Sequence, residues 1–385
     1  MSPTVLLAAL AVCISVNFQI LLSVVPVMVE RAGPNGTAGA ATAALFIGAV
    51  TGELATPWLM SRQRSTHLLV AGQLLTAIPS LVYIVPHPAI WAMITAASAR
   101  GVGMGVAIVV SVALLSELTE PHRRGTSIGY YGLALGMPGI IVPSIGVFLL
   151  ASGHTEVDAL IGFATGLVGV LFALRIPDRP VHVARASTNL LDAIRRPGLL
   201  MVFAGFVLTS CSFGGVVTYA PVALPLNGLG SAAAFLLVSG AARAASRWLA
   251  GVLSDRLPVR MVLMCGVVAS LAGLIVLALH SGAATVLVAA AVYGAGYGTT
   301  QTAAFLAMSD RGIRSDAGAI SALWNSGIDL GSSLGGTLIG LAAASYGYLA
   351  AVWVLPVAVT MSLPLFLWRS RPVNAPVADI DIFVR

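Results

Sequence analysis

Three arginines and one carboxylate stand where so apolar a chain has least reason to place them. Arg100, Arg243 and Arg247 fall inside apolar runs, and Asp329 is the one acid near the middle of such a run. A charge at the centre of a bilayer costs at least ~2.5–3.5 kcal/mol on insertion scales, so such residues face a wet cavity or a partner. Asp329 follows Asn325 by four residues and shares a helical face with Ser332 and Gly336, a polar stripe suited to a cavity wall. Desolvation and a neighbouring arginine act on a carboxyl there in opposite senses, and its protonation can change as access alternates. Asp329 is therefore the first candidate for a coupled proton, with a purely helix-tying acid as the alternative. Glu53, the sole acid of its run, is the second candidate, or a salt-bridge partner. Arg243 and Arg247 share a face with Gly240 and Gly251. Arg243 is the deeper and a candidate partner for Asp329; Arg247 lies near enough to the run's end to snorkel. Asn17, Gln19, Gln73 and Gln301 are uncharged polar groups at depth, fit for interhelical hydrogen bonds or for substrate.

Other chemistries find little support. The chain has no Lys, and a Walker A phosphate loop needs one, so an ATP-driven pump of that type is excluded. The glycine runs at 101–105 and 294–298 lie inside apolar segments and not after a strand, which is poor ground for a dinucleotide site. No nucleophile, acid and base come together in the sequence, so an enzyme is not expected, nor any cofactor. Cys13, Cys211 and Cys265 read as small packing residues, and the six histidines sit singly, so no metal site is expected.

The elements that position these residues are membrane helices. Hydrophobic residues make up 58% of the 385 and charged ones 9%, with mean hydropathy +0.96; soluble domains carry about 25% charged residues. Runs long enough to cross a bilayer, roughly 20 residues, recur near 4–29, 39–60, 68–85, 89–116, 126–151, 157–174, 199–222, 231–253, 261–280, 283–308, 317–344 and 348–368. The first has no basic leader and is too long for a signal peptide. The twenty basic residues are all Arg, and sixteen fall in alternate loops and the tail: Arg62, Arg64, Arg123, Arg124, five in 175–198, Arg256, Arg260, Arg311, Arg314 and the C-terminal tail. The opposite loops hold only Arg31. By the positive-inside rule both termini are cytoplasmic, which also explains the net charge of +6 without nucleic acid.

The chain repeats itself at half-length. Arg100-Gly-Val-Gly-Met-Gly105 returns as Tyr293-Gly-Ala-Gly-Tyr-Gly298, and the same offset of 193 maps Glu117 onto Asp310 and Gly125 onto Gly318. Nearly the same offset puts Ser61-Arg62 on Asp255-Arg256, Phe18 on Phe213 and Pro26 on Pro221. Two apolar halves in parallel repeat are the plan of a secondary transporter. The symmetric placement of Glu117, Asp310, Arg62, Asp255, Arg256 and Arg260 predicts charge pairs across the cytoplasmic mouth that shut it in one state; each is weak alone.

These residues resemble the major facilitator superfamily over essentially the whole chain. Its loop motif, a Gly followed four residues later by Asp-Arg, appears as Gly251-Val-Leu-Ser-Asp255-Arg256, with Arg260 beyond; the first copy is reduced to Pro57-Trp-Leu-Met-Ser61-Arg62. Arg100 before its glycines resembles the fourth-span motif. Gly132-Leu-Ala-Leu-Gly136-Met-Pro138-Gly139, with Pro143 and Gly146, approximates the antiporter signature of the fifth span. The resemblance implies that spans one, four, seven and ten line a cavity, which would bring Asn17, Arg100, Tyr293 and Gln301 to substrate, beside Gln19, Arg243 and Asn325.

The expected protein is an all-α membrane protein with twelve transmembrane helices in two pseudo-symmetric six-helix bundles, 1–174 and 199–368. A basic linker (175–198), amphipathic around 188–196, and a tail (369–385) complete the chain. It is expected in the cell membrane, as a monomer among lipids, exporting a small amphipathic molecule against protons by alternating access. An importer or facilitator of a small metabolite is the rival within the class, and a non-transporting scaffold or sensor the rival outside it.

Overall fold

The computed structural model describes residues 3–119, 124–177, 196–225, 227–228, 230–279, 282–311 and 317–368. Arg123, Arg314, the amphipathic segment expected at 188–196 and the tail fall outside them. Among the described residues the chain runs through twelve long helices: α1 Pro3–Ala32, α2 Thr37–Met60, α3 Ser65–Ile84, α4 Ile90–Leu118, α5 Arg124–Gly136 continued by Pro138–Ala151, α6 Thr155–Ala173, α7 Pro197–Ala223, α8 Ala232–Ser254, α9 Val259–Leu279, α10 Ala283–Ser309, α11 Ala317–Tyr346 and α12 Tyr348–Leu367. Ten of these segments are long and apolar enough to cross a membrane. The other two, α8 and α10, are as long; Arg243 and Arg247 in one, and Gly, Thr and Gln residues in the other, dilute their apolar character.

The repeat read in the sequence is a repeat of packing. Helix α4 packs on α2 and α3, and α10 packs on α8 and α9. Likewise α1 packs on α5 and α6, and α7 on α11 and α12. The two glycine runs do identical work. A side chain on Gly101 or Gly105 would strike the Leu45 or Ala49 carbonyl of α2, and one on Gly294 or Gly298 the Ser239 or Arg243 carbonyl of α8. The middle glycines, Gly103 and Gly296, lie against Gly72 of α3 and Ser270 of α9. In lipid, burying another Leu gains little, so close backbone approach and interhelical hydrogen bonds supply the attraction.

The halves meet through α2 with α11 and α5 with α8, a pair of contacts that the repeat interchanges. At the end away from the Arg-rich loops they touch backbone to backbone: Gly36 and Gly39 face Gly340 and Gly336. Thr42 and Thr218 share a hydrogen bond of 2.6 Å there, and the Ser144 hydroxyl donates to the Ala233 carbonyl at 2.7 Å. Toward the Arg-rich end the Arg124–Gly136 part of α5 packs mainly on α1 and α4 of its own half, and nothing among the described residues lies within 4 Å of where a Cβ on Gly132, Gly136 or Gly251 would sit. The space between the halves is thus shut at one end and open at the Arg-rich end.

Candidate functional site

Helix α5 makes the site's first feature from its own sequence. A proline has no N–H and so frees the carbonyl four residues back. Pro143 thereby frees Gly139, and the Arg243 guanidinium of α8 crosses between the halves to donate to that carbonyl at 3.4 Å. Gly240, one turn away on α8, lies against the Gly139 and Ile140 carbonyls, an approach that a larger residue would prevent.

Arg243 borders a cavity between the halves, walled also by Gln19, Phe213, Ser239, Tyr293 and Tyr297. Its guanidinium stands over the Phe213 ring, 4.9 Å from the centroid. Phe213, Tyr297 and Tyr293 form a nearly parallel row, with centroids 5.6 and 6.0 Å apart and planes 8° and 7° from parallel. The Tyr297 hydroxyl donates to Ser210 Oγ at 3.3 Å, and Tyr293 shares a hydrogen bond of 3.2 Å with Ser212. Among the described residues the oxygen of the Gln19 amide is buried without a partner, as is that of Gln301. Gln301 is joined to α11 through its backbone carbonyl, which accepts from Trp324 Nε1 at 2.8 Å.

Beside this cavity, one carboxyl from each half forms a pair. Glu53 of α2 and Asp329 of α11 are within hydrogen-bonding reach of one another, and Ser326 Oγ donates to Glu53 Oε2 at 3.2 Å. A hydrogen bond between two carboxyls requires a proton on one of them, because an ionised carboxylate only accepts. Tyr297 is the link between this pair and Arg243, since it feels the charge of both Asp329 and Arg243. Arg247, one turn below Arg243, extends over the Trp324 ring at 5.6 Å.

The remaining candidates sit elsewhere. Arg100 and Asn17 are buried inside the first half and do not line the described cavity. Arg100 Nη2 donates to the Asn17 carbonyl at 2.6 Å and contacts the Tyr83 hydroxyl. The Asn17 amide in turn donates to the Gly162 and Thr76 carbonyls. These bonds tie α1, α3, α4 and α6 together. The Asn325 amide turns back to its own helix, donating to the Ser321 carbonyl at 3.0 Å, and is likewise absent from the cavity wall. Of the gate residues, Glu117, Asp255, Arg256 and Asp310 lie exposed at the open end. Arg62 rests on its own Trp58 ring at 4.1 Å, and Arg260 donates to the Leu367 carbonyl at 2.7 Å. Among the described residues these six form no cross-mouth pair with one another in this conformation. Sequence reasoning missed Tyr297, whose place four residues after Tyr293 on the glycine-lined face of α10 was the available signal. It also missed Asp158 in the first turn of α6, buried with both carboxyl oxygens unpartnered. Among the described residues no His, Cys, Asp and Glu group could hold a metal ion.

The sequence profile of the Major Facilitator Superfamily matches residues 7–335 and 232–381. This chain belongs to the major facilitator superfamily. Similar solved structures include the nucleoside transporter NupG, 14% identical with TM-score 0.72 over 96% of this chain and 100% of that one. Another is a bacterial homolog of the human lysosomal transporter Spinster in an inward-facing, occupied conformation, 13% identical with TM-score 0.70 over 94% and 95%. A third is a POT family transporter in complex with a thioalcohol-conjugated peptide, 11% identical with TM-score 0.70 over 94% and 95%. At these identities the likeness is one of fold. No curated protein matches the chain by sequence. It is a multi-pass membrane transporter.

Proposed function

We propose that this protein is a proton-coupled secondary active transporter of a small amphipathic molecule, working by alternating access. The observation that supports coupling is the Glu53–Asp329 pair, because its two members come from opposite halves. A shared proton draws α2 and α11 together, whereas two ionised carboxylates at this separation repel. Loading and unloading the proton therefore biases the rocking that alternating access requires. The signature of α5 gives the sense of transport proposed first, which is export by proton antiport from a cavity open to the cytoplasm. Gly139 and Pro143, the residues of that signature nearest its proline break, line the cavity. Arg243 on the cavity wall favours a second sense, uptake of an anionic metabolite together with the proton, because neutralising one carboxyl strengthens the field an anion meets.

The test is flux in liposomes holding the purified protein, across a panel of compounds, with the pH gradient imposed in either direction. The expected outcome is accumulation that reverses with the gradient, its sign reporting antiport or co-transport. Asp329→Asn, normalised to inserted protein, is expected to lose gradient-driven accumulation by at least about tenfold, while downhill exchange survives. Undiminished driven flux in Asp329→Asn and in Glu53→Gln would remove the pair as the proton site. Absence of flux for the entire panel would favour a scaffold or sensor.

A further inference from the structure

The cavity wall presents more hydrogen-bond donors than the protein can satisfy. A guanidinium carries five N–H groups in a fixed fork that matches a carboxylate. Among the described residues Arg243 uses them on the Gly139 carbonyl alone, at the long distance of 3.4 Å, and no carboxylate is paired with it. Charges removed from water are normally paired and hydrogen-bonded, and the two carboxyls beside the cavity are engaged with one another. Gln19 Nε2 lies against the same Gly139 and supplies a second N–H donor there. Arg243 and Gln19 therefore aim two polar groups, one charged, at a single spot where α1, α5 and α8 converge. At that spot the partly exposed Phe213 ring forms the wall, with the buried rings of Tyr297 and Tyr293 stacked behind it, a surface against which an apolar group gains contact.

We propose that this cavity takes a small organic anion, its carboxylate held by Arg243 and by the Gln19 amide N–H and its apolar part laid against Phe213. The proposal rests on reading the cavity as the transport site and adds the substrate's chemistry to it. A cation is disfavoured by Arg243 and by Arg247 one turn below. A neutral molecule of the same shape leaves the guanidinium without its counter-charge, and a hydrogen bond to a charged group is worth enough to separate the two by roughly tenfold or more.

The experiment measures binding to the purified full-length protein in detergent, by titration calorimetry and by ligand-induced thermal stabilisation. The probes are benzoate, phenylacetate and 2-naphthoate, each beside its amide and its amine. At least one carboxylate is expected to bind roughly tenfold or more tightly than its own amide, with the amine weakest. Arg243→Gln is expected to erase the carboxylate–amide difference, and Arg243→Lys to keep part of it. If Arg243→Gln does not fold, the comparison of acid with amide on the parent and on Arg243→Lys decides alone. Amides or amines that bind as well as every carboxylate would overturn the proposal, as would full carboxylate affinity in Arg243→Gln. The liposome assay separates the two readings. Carboxylate binding with no driven flux defeats proton-coupled transport and leaves the anion site standing, whereas driven flux of neutral or cationic compounds with no carboxylate preference does the reverse.

Discussion

Residues of the same chemical type do different work in this molecule according to the helical face they occupy. Arg100 and Arg243 both lie at depth, yet one is enclosed by Asn17 and Tyr83 in a single half while the other reaches across to the second half. Removing Arg100 deletes a buried charge-assisted hydrogen bond to the Asn17 carbonyl, a loss of about 1.5–3 kcal/mol. Arg100→Leu is therefore expected to lower the thermal stability of the purified protein and to reduce driven and downhill flux alike, in proportion to the folded amount. Asp329→Asn should instead leave stability near that of the parent and separate the two modes of flux. An Arg100→Leu protein as stable as the parent but unable to bind ligand would return Arg100 to the transport site. Part of this division was legible in the sequence. Depth along an apolar run marked Asp329, Arg100 and Arg243, because membrane thickness fixes depth. Which of them meet was not legible, since Glu53 and Asp329 are far apart in the chain and are joined only by the packing of α2 on α11. The aromatic row escaped notice because an aromatic residue in an apolar helix carries no mark of whether it faces lipid, a neighbour or a cavity.

At the scale of elements, proline and glycine decide where helices bend and how closely they approach. The apolar runs foretold the helices to within a few residues, but not the interruptions at Ser23 and Met137, which lie near Pro26 and Pro138, where a backbone donor is missing. The repeated glycine runs were visible as letters, and the structure gives them their physical meaning as places where α4 and α10 touch the same partners in each half. The glycines joining the halves, Gly36, Gly39, Gly336 and Gly340, were not paired by sequence reasoning because no periodicity links α2 to α11. They bring a prediction of their own. A side chain on Gly340 meets the Gly36 carbonyl and the Gly39 backbone, which cannot move aside as a flexible side chain would. Gly340→Leu is expected to wedge this end apart and shift the population toward the conformer open there. In a protein freed of its native cysteines, Ser239→Cys on the cavity wall should then react faster with a membrane-impermeant maleimide added from the side opposite the Arg-rich loops. Unchanged accessibility would mean that the closed end is held by other contacts.

At the scale of the whole molecule, the pseudo-two-fold relation does the positioning. Because α2 meets α11 while α8 meets α5, one relation between halves places the carboxyl pair at one contact and the Arg243–Gly139 bond at the other, with Tyr297 between. The carboxyl pair and the Arg243–Gly139 bond are thus set on two separate joints between the halves. Which compartment the open end faces follows from the sequence positions of the arginines: sixteen fall in one alternate set of loops or the tail, against Arg31 alone in the other set. Lysine and arginine are retained on the cytoplasmic side during insertion, so the open, Arg-rich end is expected to face the cytoplasm. Replacing Cys13, Cys211 and Cys265 and introducing single cysteines at Thr155 and Arg185 tests this directly. Thr155 begins α6 at the closed end, and Arg185 belongs to the basic segment joining the halves. An impermeant maleimide added to intact cells should label the cysteine at 155 and not that at 185, and permeabilised cells should label both. The reverse pattern would invert the molecule in the membrane. The open cavity would then load from outside, and export from this conformer would give way to uptake.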